Sequence, residues 1–307
     1  MATYNLASKF SKKVDEAFSR DAIAPLVTNN DYTWDGVKTV HVYSIPVVDM
    51  NDYTRSGANR YGTPDELGNS AQELSVEKDR SWTFTIDKGN NIQSEMVMAA
   101  GKAVARQLKL KVIPEIDAHV FKKIAIAACA TEGHSATTTI TTSNAYAEFL
   151  AAQEVLGNAN VPDEGRVCLC SYAFAGALKQ DPSFMRDCDT AQNMAIKGLL
   201  GEVDGAKIIR VPSSRLPAGC DFILTHPIAT VAPKQLNEYK IHTDSPGISG
   251  WLCEGRIIYD AFVLENKKYA TFYHGATAVT DSGDSDSGTD SGDTETGGTD
   301  SGESGTE

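Results

Sequence analysis

The chain has 307 residues and a hydrophobic content of 41%, which suggests two domains with a buried core and leaves one large domain as the alternative. Residues 276–307 contain nine acidic residues and no basic ones, so the net charge of −13 leaves a body of 32 acidic and 28 basic residues, a net of −4. A mildly acidic body argues against a dedicated nucleic-acid-binding protein, which would carry a basic surface.

The six cysteines are spread along the chain without a paired CxxC spacing, and most of them stand among apolar residues. This usage predicts reduced cysteines in the core of a cytoplasmic protein. No apolar stretch follows the N-terminal lysines, and none approaches membrane-spanning length. We therefore expect neither a signal peptide nor a transmembrane helix.

The N-terminal part predicts an arm followed by two extended strands. Residues 5–24 have apolar side chains at helical steps and predict a short amphipathic helix, which packs either on its own body or on a neighbour. Residues 37–48 and 71–87 are rich in β-branched and aromatic residues and predict strands. In the second of these, Trp82 and Phe84 alternate with small polar residues, a pattern that gives one buried and one solvated face.

The segment between these strands, residues 49–70, is polar and rich in turn-forming residues. It carries four residues of types favoured at protein interfaces, namely Tyr53, Arg55, Arg60 and Tyr61. A structureless stretch of this length within a compact domain is uncommon and usually functional. Two interpretations stay open, a surface meander and a long hairpin that reaches onto a neighbouring subunit.

A long helix is predicted next. Apolar residues at three- and four-residue steps from Ile92 to Val112 mark one helical face, and Asp87 and its neighbours are suitable helix caps. Pro114 tends to break or restart a helix, and a second apolar run continues to Ala130.

The rest of the chain predicts a β/α unit, a return of strands and a tail. Residues 131–235 alternate strand and helix signals and predict one compact unit. Residues 238–274 return to strand character. Beyond His274 the Ser/Thr/Gly/Asp-rich composition is too polar to form a core, so residues 276–307 are expected to be disordered.

Chemically active pairs are present, but a structural role is favoured for each. Cys168 and Cys170 would point to the same face of a strand, and no second pair completes a metal site. Cys220 and His226 lack the setting of a nucleophile and its base.

The acidic residues that follow Pro114 are also expected to be structural. Glu115 and Asp117 suit the start of a helix, where carboxylates favour the helix dipole. His119 is expected to form a surface pair with Glu115, four residues away. No phosphate-binding loop, nucleophile elbow or HExxH motif occurs.

Several stretches resemble the major capsid proteins of tailed bacteriophages with the HK97-like fold. Residues 79–87 look like the strand that leads into the spine helix of those proteins. Val112 to Ala118 is similar to the "VPEIDA" run that follows that helix, and residues 204–217 and 255–263 also look familiar. Each motif alone is weak, and their combination is diagnostic. The resemblance covers about residues 5–274.

The resemblance implies an α+β, HK97-like fold with four parts and a tail. These are an N-terminal arm (1–34), a long E-loop hairpin (35–88), a P-domain with the spine helix (89–130 and 236–275), an inserted A-domain (131–235) and the disordered acidic tail (276–307).

The implied function is assembly of pentamers and hexamers into an icosahedral phage head around double-stranded DNA. The implied partners are other copies of the chain, a portal, a separate scaffolding protein and DNA contacted without sequence specificity. Assembly would occur in the bacterial host cytoplasm and end in the virion. The resemblance implies no catalytic residue, cofactor or metal, and no membrane partner. It leaves Tyr53, Arg55, Arg60 and Tyr61 as candidate inter-subunit contacts. Alternatives are an encapsulin-like cargo shell and, less favoured, a soluble enzyme.

Overall fold

The computed structural model describes residues 21–32, 38–64, 66–93, 100–187, 201–243 and 245–281. Most of the predicted N-terminal helix lies outside these residues, as do Cys188 and the tail beyond Asp281.

Strands and helices divide the described chain into a helical rod and four sheets. The strands are β1 (Thr39–Ser44), β2 (Ser70–Ser75), β3 (Lys78–Asp87), β4 (Ser135–Ala136), β5 (Arg166–Cys170), β6 (Glu202–Val203), β7 (Ala206–Arg210), β8 (Cys220–Thr225), β9 (Thr230–Val231), β10 (Lys234–His242), β11 (Gly250–Tyr259), β12 (Phe262–Val263) and β13 (Thr271–Gly275). The α-helices are α1 (Lys88–Gln93), α2 (Ala100–Gln107), α3 (Ile113–Ala130), α4 (Ala145–Asn158), α5 (Tyr172–Gln180) and α6 (Pro182–Asp187).

The long helix is continuous from α2 to the end of α3. A π-helical turn, Leu108–Val112, joins the two, and the Ile113 N–H donates to the Leu108 carbonyl across it. Val112 and Ile113 both keep helical dihedrals. Pro114 lies in the first turn of α3, where its missing N–H is tolerated, and the wider π turn precedes it. The expected break at Pro114 is therefore absent, and the irregularity takes the form of a π-helical turn with no non-helical residue between the two segments.

Helix α3 organises the main core. Its fully buried residues Phe121, Ile124, Ala125 and Ala128 lie at three- and four-residue steps, which defines one apolar face. This face packs against the N-terminal segment and against residues of β5, β8, β11 and β13. The shared cluster includes Ile23, Val27, Val167, Leu169, Ile223, Ile257 and Tyr273. The helix therefore holds the arm and the two sheets in one core.

Three antiparallel strands form a sheet in the order β10-β11-β3. In β3, Ile86 is buried and Trp82 and Phe84 are half-buried, whereas the small polar residues between them are exposed, so the predicted alternation is confirmed. The Trp82 indole lies across Gly255 of β11 and leaves no room for a Cβ there. Glycine is therefore required opposite the tryptophan.

The predicted strand over residues 71–87 is two strands with different partners. β2 pairs with β1, from Thr39 opposite Ser75 to Ser44 opposite Ser70, whereas β3 pairs with β11. The base of the β1–β2 hairpin is held by a small cluster in which Leu74 and Val76 meet Val231 and Leu264. Since residues 45–69 contain no strand among their described positions, a long loop closes this hairpin.

The inserted unit is built on a six-stranded sheet in the order β4-β13-β8-β5-β7-β6. β5 is buried on both faces: Cys168 and Cys170 face a cluster with Phe149 and Phe174, whereas Val167 and Leu169 belong to the main core. The prediction that the two cysteines share a strand face is confirmed. β13, from the end of the chain, pairs with β8 and β4, so Thr271–Gly275 belongs structurally to this sheet.

Candidate interaction surfaces

The two carboxylates that follow Pro114 point to different partners and form no acid–base pair. Glu115 accepts hydrogen bonds from Arg80 Nε at 2.8 Å and from the Tyr259 hydroxyl at 3.1 Å, and its side chain is 44% exposed. Asp117 is 1% exposed and bonded elsewhere. Glu115 fills the predicted place in the first turn of α3, and Asp117 has a separate structural role.

Asp117 fixes the point where the N-terminal segment joins the core. Its carboxylate accepts the backbone N–H groups of Ile23 and Ala24, each at 3.0 Å, and Arg215 Nη1 at 2.8 Å. Arg215 also donates to the Asp21 carbonyl at 3.1 Å. Three of these hydrogen bonds tie residues 21–24 to α3 and to the turn before β8, and the fourth joins α3 to that turn. A buried pair of this kind is costly to break, because the remaining charge is left without its partner.

His119 forms a buried pair with Asp260, and the predicted surface pair with Glu115 is wrong. His119 Nε2 lies 2.8 Å from Asp260 Oδ1, and the two side chains are only 9% and 5% exposed. Asp260 also accepts the backbone N–H groups of Glu77 and Ala261. Burial raises the pKa of Asp260, but the hydrogen bonds from His119 and the two amides more than offset this and hold the pKa below its ordinary value.

No activated thiol is found among the described cysteines. Burial raises the pKa of Cys170 to about 12 and raises that of Cys220 well above its ordinary value, so both are neutral thiols at pH 7. His226, the possible base, has both ring nitrogens engaged, with the Glu164 carbonyl at 3.1 Å and the Ile228 N–H at 3.2 Å. Within the described ranges, no group of three His, Cys, Asp or Glu side chains is arranged to hold a metal ion.

The four candidate contact residues lie together at the tip of the β1–β2 excursion. The Tyr53 and Tyr61 rings meet edge to face at 5.0 Å, and the Thr54 N–H donates to the Arg60 carbonyl at 3.1 Å. Arg60 Nε donates to the Gly57 carbonyl at 3.2 Å, which closes the turn. Gly57 and Gly62 have positive φ angles of 94° and 88°, a conformation that glycine adopts without strain.

Exposed apolar side chains line the same excursion. Val47 is 94% exposed and Met50 is 99% exposed, and Ile45, Val48 and Leu67 are all more than half exposed. The aromatic and arginine residues were predicted from their types, whereas these aliphatic residues were missed. The usable signal was the run Ile45-Pro-Val-Val-Asp-Met50, in which four apolar residues occur within six positions. We call residues 45–69 the excursion loop.

The arrangement of the excursion loop is typical of a protein interface. Val47 and Met50 offer apolar area, and Tyr53, Tyr61 and Arg60 are of the types that contribute most to binding. Several exposed apolar side chains in one loop are of the kind that protein contact surfaces carry. No helix in the described part of the chain is both long and apolar enough to cross a membrane.

Comparisons with known proteins identify the fold. No family model matches the sequence, and no curated protein matches it. The structure superposes on the capsid structure of the cyanophage P-SCSP1u with a TM-score of 0.72 at 14% identity, covering 88% of this chain and 93% of that one. It superposes on a chain of Mycobacterium phage Che8 with a TM-score of 0.68 at 18% identity, covering 90% and 100%.

A third structure, the asymmetric unit of the mature capsid of bacteriophage PhiM1, gives a TM-score of 0.68 at 12% identity over 88% of this chain and 91% of that one. The overlap is nearly end to end in all three. The chain therefore has the HK97-like fold of phage capsid proteins, with helices and sheets mixed as predicted.

Proposed function

We propose that this chain is the major capsid protein of a tailed bacteriophage and assembles as pentamers and hexamers into an icosahedral head around double-stranded DNA. The observation that carries the proposal is the near-complete overlap with phage capsid chains, which spans 88–90% of this protein. The excursion loop supports it, because its apolar side chains have no cover among the described residues of one subunit.

The parts of the chain suit the division that the resemblance implies. We infer an N-terminal arm over 1–34, an E-loop over 35–88 and an A-domain over 131–235, with 89–130 and 236–275 as the P-domain. The buried hydrogen bonds between Asp117 and the N-terminal segment support this division, because they fix the point at which the arm leaves the rest of the subunit. β13 joins the A-domain sheet, so the P- and A-domains share that strand.

In this proposal the excursion loop binds a neighbouring subunit. Full burial of a Val or Met side chain contributes about 1.5–3 kcal/mol, so covering Val47 and Met50 alone would supply several kcal/mol for each contact. Tyr53, Arg55, Arg60 and Tyr61 would add hydrogen bonds and specificity at the tip. Because every subunit in a closed shell makes this contact, a modest energy for each one is sufficient for assembly.

We further propose that the chain acts with a portal, a separate scaffolding protein and packaged DNA, and that assembly takes place in the cytoplasm of the bacterial host. No residue is assigned a catalytic role. An encapsulin-like compartment has the same fold. The neighbouring genes distinguish the two, since a terminase, portal and protease accompany a phage head and a cargo enzyme accompanies a compartment.

Sedimentation velocity with negative-stain electron microscopy tests the proposal on the purified protein, alone and with the scaffold candidate from a neighbouring gene. Closed shells, or rings that sediment well above a monomer, are expected. A stable monomer or dimer under every condition would contradict the shell function. It would favour the alternative in which the β/α unit is an enzyme domain.

A further inference from the structure

The α2 end of the α2–α3 rod carries exposed positive charge. Residues 96–114 contain four basic residues and no acidic one. Lys102, Lys109 and Lys111 are exposed, and Arg106 is half-buried. In the described part of the chain, no ion pair joins these three lysines to a carboxylate. We call Lys102, Arg106, Lys109 and Lys111 the basic helix segment.

The last described residues return to the same helical rod. The Val279 N–H donates to Cys129 Sγ at 3.4 Å, and the Val279 side chain packs against the main core. Lys123 Nζ lies 3.4 Å from the Asp281 carboxylate. Because Lys123 and Cys129 both belong to α3, the last described residues lie along that helix. Residues 282–307 continue from there with eight acidic residues and no basic one.

The length of this acidic segment matches the distance to the basic helix segment. At the α-helical rise, Lys111 lies about 18 Å and Lys102 about 32 Å along the rod from Lys123. A Gly- and Ser-rich chain of 26 residues has a root-mean-square span of about 28 Å, and a larger one when its charges repel each other. Residues 282–307 are therefore long enough to reach all four basic residues.

We propose that the acidic segment 282–307 docks on the basic helix segment and is held there by charge attraction. Eight carboxylates meet three exposed lysines, so the attraction is multivalent and needs no fixed geometry. Its occupancy shields the basic helix segment from other polyanions, and duplex DNA is the competing occupant. This inference goes beyond the capsid function and does not depend on it.

Zero-length carboxyl-to-amine crosslinking of the full-length protein, with peptide mass spectrometry, tests the contact directly. At low salt, crosslinks are expected from the acidic residues of 282–307 to Lys102, Lys109 and Lys111. At about 1 M salt, where charges are screened within about 3 Å, their yield should fall about tenfold or more. Absence of these crosslinks, or equal yields to the exposed lysines Lys38 and Lys207, would overturn the proposal.

Binding of a short DNA duplex, followed by fluorescence anisotropy at low salt, separates the two occupants. A chain ending at Asp281 should bind the duplex at least about tenfold more tightly than the full chain, because the basic helix segment is uncovered. Reversal of the three exposed lysines (Lys102→Glu, Lys109→Glu and Lys111→Glu) in the shortened chain should remove this gain. The matched reversal of three lysines elsewhere (Lys38→Glu, Lys207→Glu and Lys234→Glu) should retain it.

Two results of the duplex measurement would count against the proposal. If shortening the chain leaves the affinity unchanged while the helix reversals weaken binding by the full chain, the surface serves nucleic acid and the acidic segment does not occupy it. If neither change affects duplex binding, the basic helix segment is not a polyanion site.

Discussion

The Asp117 carboxylate lies 2.8 Å from Arg215 Nη1, although the two residues are 98 positions apart in the chain. Both side chains are at most 5% exposed. The same carboxylate accepts two backbone N–H groups of the N-terminal segment. One buried ion pair thus joins the arm, the long helix and the turn before β8. Its loss should weaken the packing of all three segments.

Replacing Asp117 with Asn tests this connection. The substitution keeps the volume but removes the charge, so the buried Arg215 guanidinium loses its counter-ion. We expect the free energy of unfolding to fall by about 3 kcal/mol, measured by urea denaturation. Limited proteolysis near residues 21–24 should become faster. The control Glu115→Gln, at a half-exposed position, should cost less than about 1 kcal/mol. Equal losses of stability from the two substitutions would show that the buried pair contributes no more than the half-exposed one.

The His119–Asp260 pair predicts a pH dependence. Because the folded-state pKa of Asp260 is lowered, its contribution to stability is present above the unfolded pKa, about 4, and is lost as the pH falls through the folded value. The free energy of unfolding of the Asp260→Asn variant should therefore depend less steeply on pH below about pH 4 than that of the natural protein. If the free energies of unfolding of the variant and of the natural protein change with pH in parallel, Asp260 does not contribute to the loss of stability in acid.

Gly255 beside Trp82 predicts a strong steric effect. In Gly255→Ala the new Cβ collides with the indole, so the sheet has to shift, and we expect a loss of about 1–3 kcal/mol in chemical denaturation. The smaller ring of Trp82→Phe should relieve part of this clash. The double variant should then be more stable than the sum of the two single effects predicts. Additive effects would mean that the two residues do not interact.

The excursion loop predicts a separation of stability from assembly. Replacing Val47 and Met50 together with Ser should abolish or strongly reduce shell formation in sedimentation velocity, because the apolar contact area is lost. The melting temperature of the isolated subunit should stay nearly unchanged, since both side chains are already exposed in it. The conservative pair Val47→Ile and Met50→Leu should still assemble. Full assembly of the Ser variant would exclude these residues from the interface.

Local signals in the sequence predicted much of the secondary structure. The alternation of Trp82 and Phe84 with polar residues identified β3, and the shared face of Cys168 and Cys170 followed from strand geometry. These features depend on neighbours in sequence, which periodicity reports. The candidate tip residues Tyr53 and Arg60 were selected by residue type alone, and their role in binding stays a prediction.

Long-range pairing could not be predicted in the same way. His119 and Asp260 are 141 positions apart, and nothing in either local sequence identifies the other. For the same reason a helical neighbour, Glu115, was chosen as the partner of His119. The division of residues 71–87 into two strands depends on which distant strands they meet, and this is decided by the tertiary structure.

Cryo-electron microscopy of particles assembled from the natural protein examines the shell proposal at the level of residues. We predict pentameric and hexameric rings in an icosahedral lattice, with residues 45–69 of each subunit lying on a neighbour and Val47 and Met50 covered by it. A particle in which this loop folds back on its own subunit would contradict the proposed contact. A protein that remains monomeric, with the candidate scaffold present, would contradict the capsid function itself.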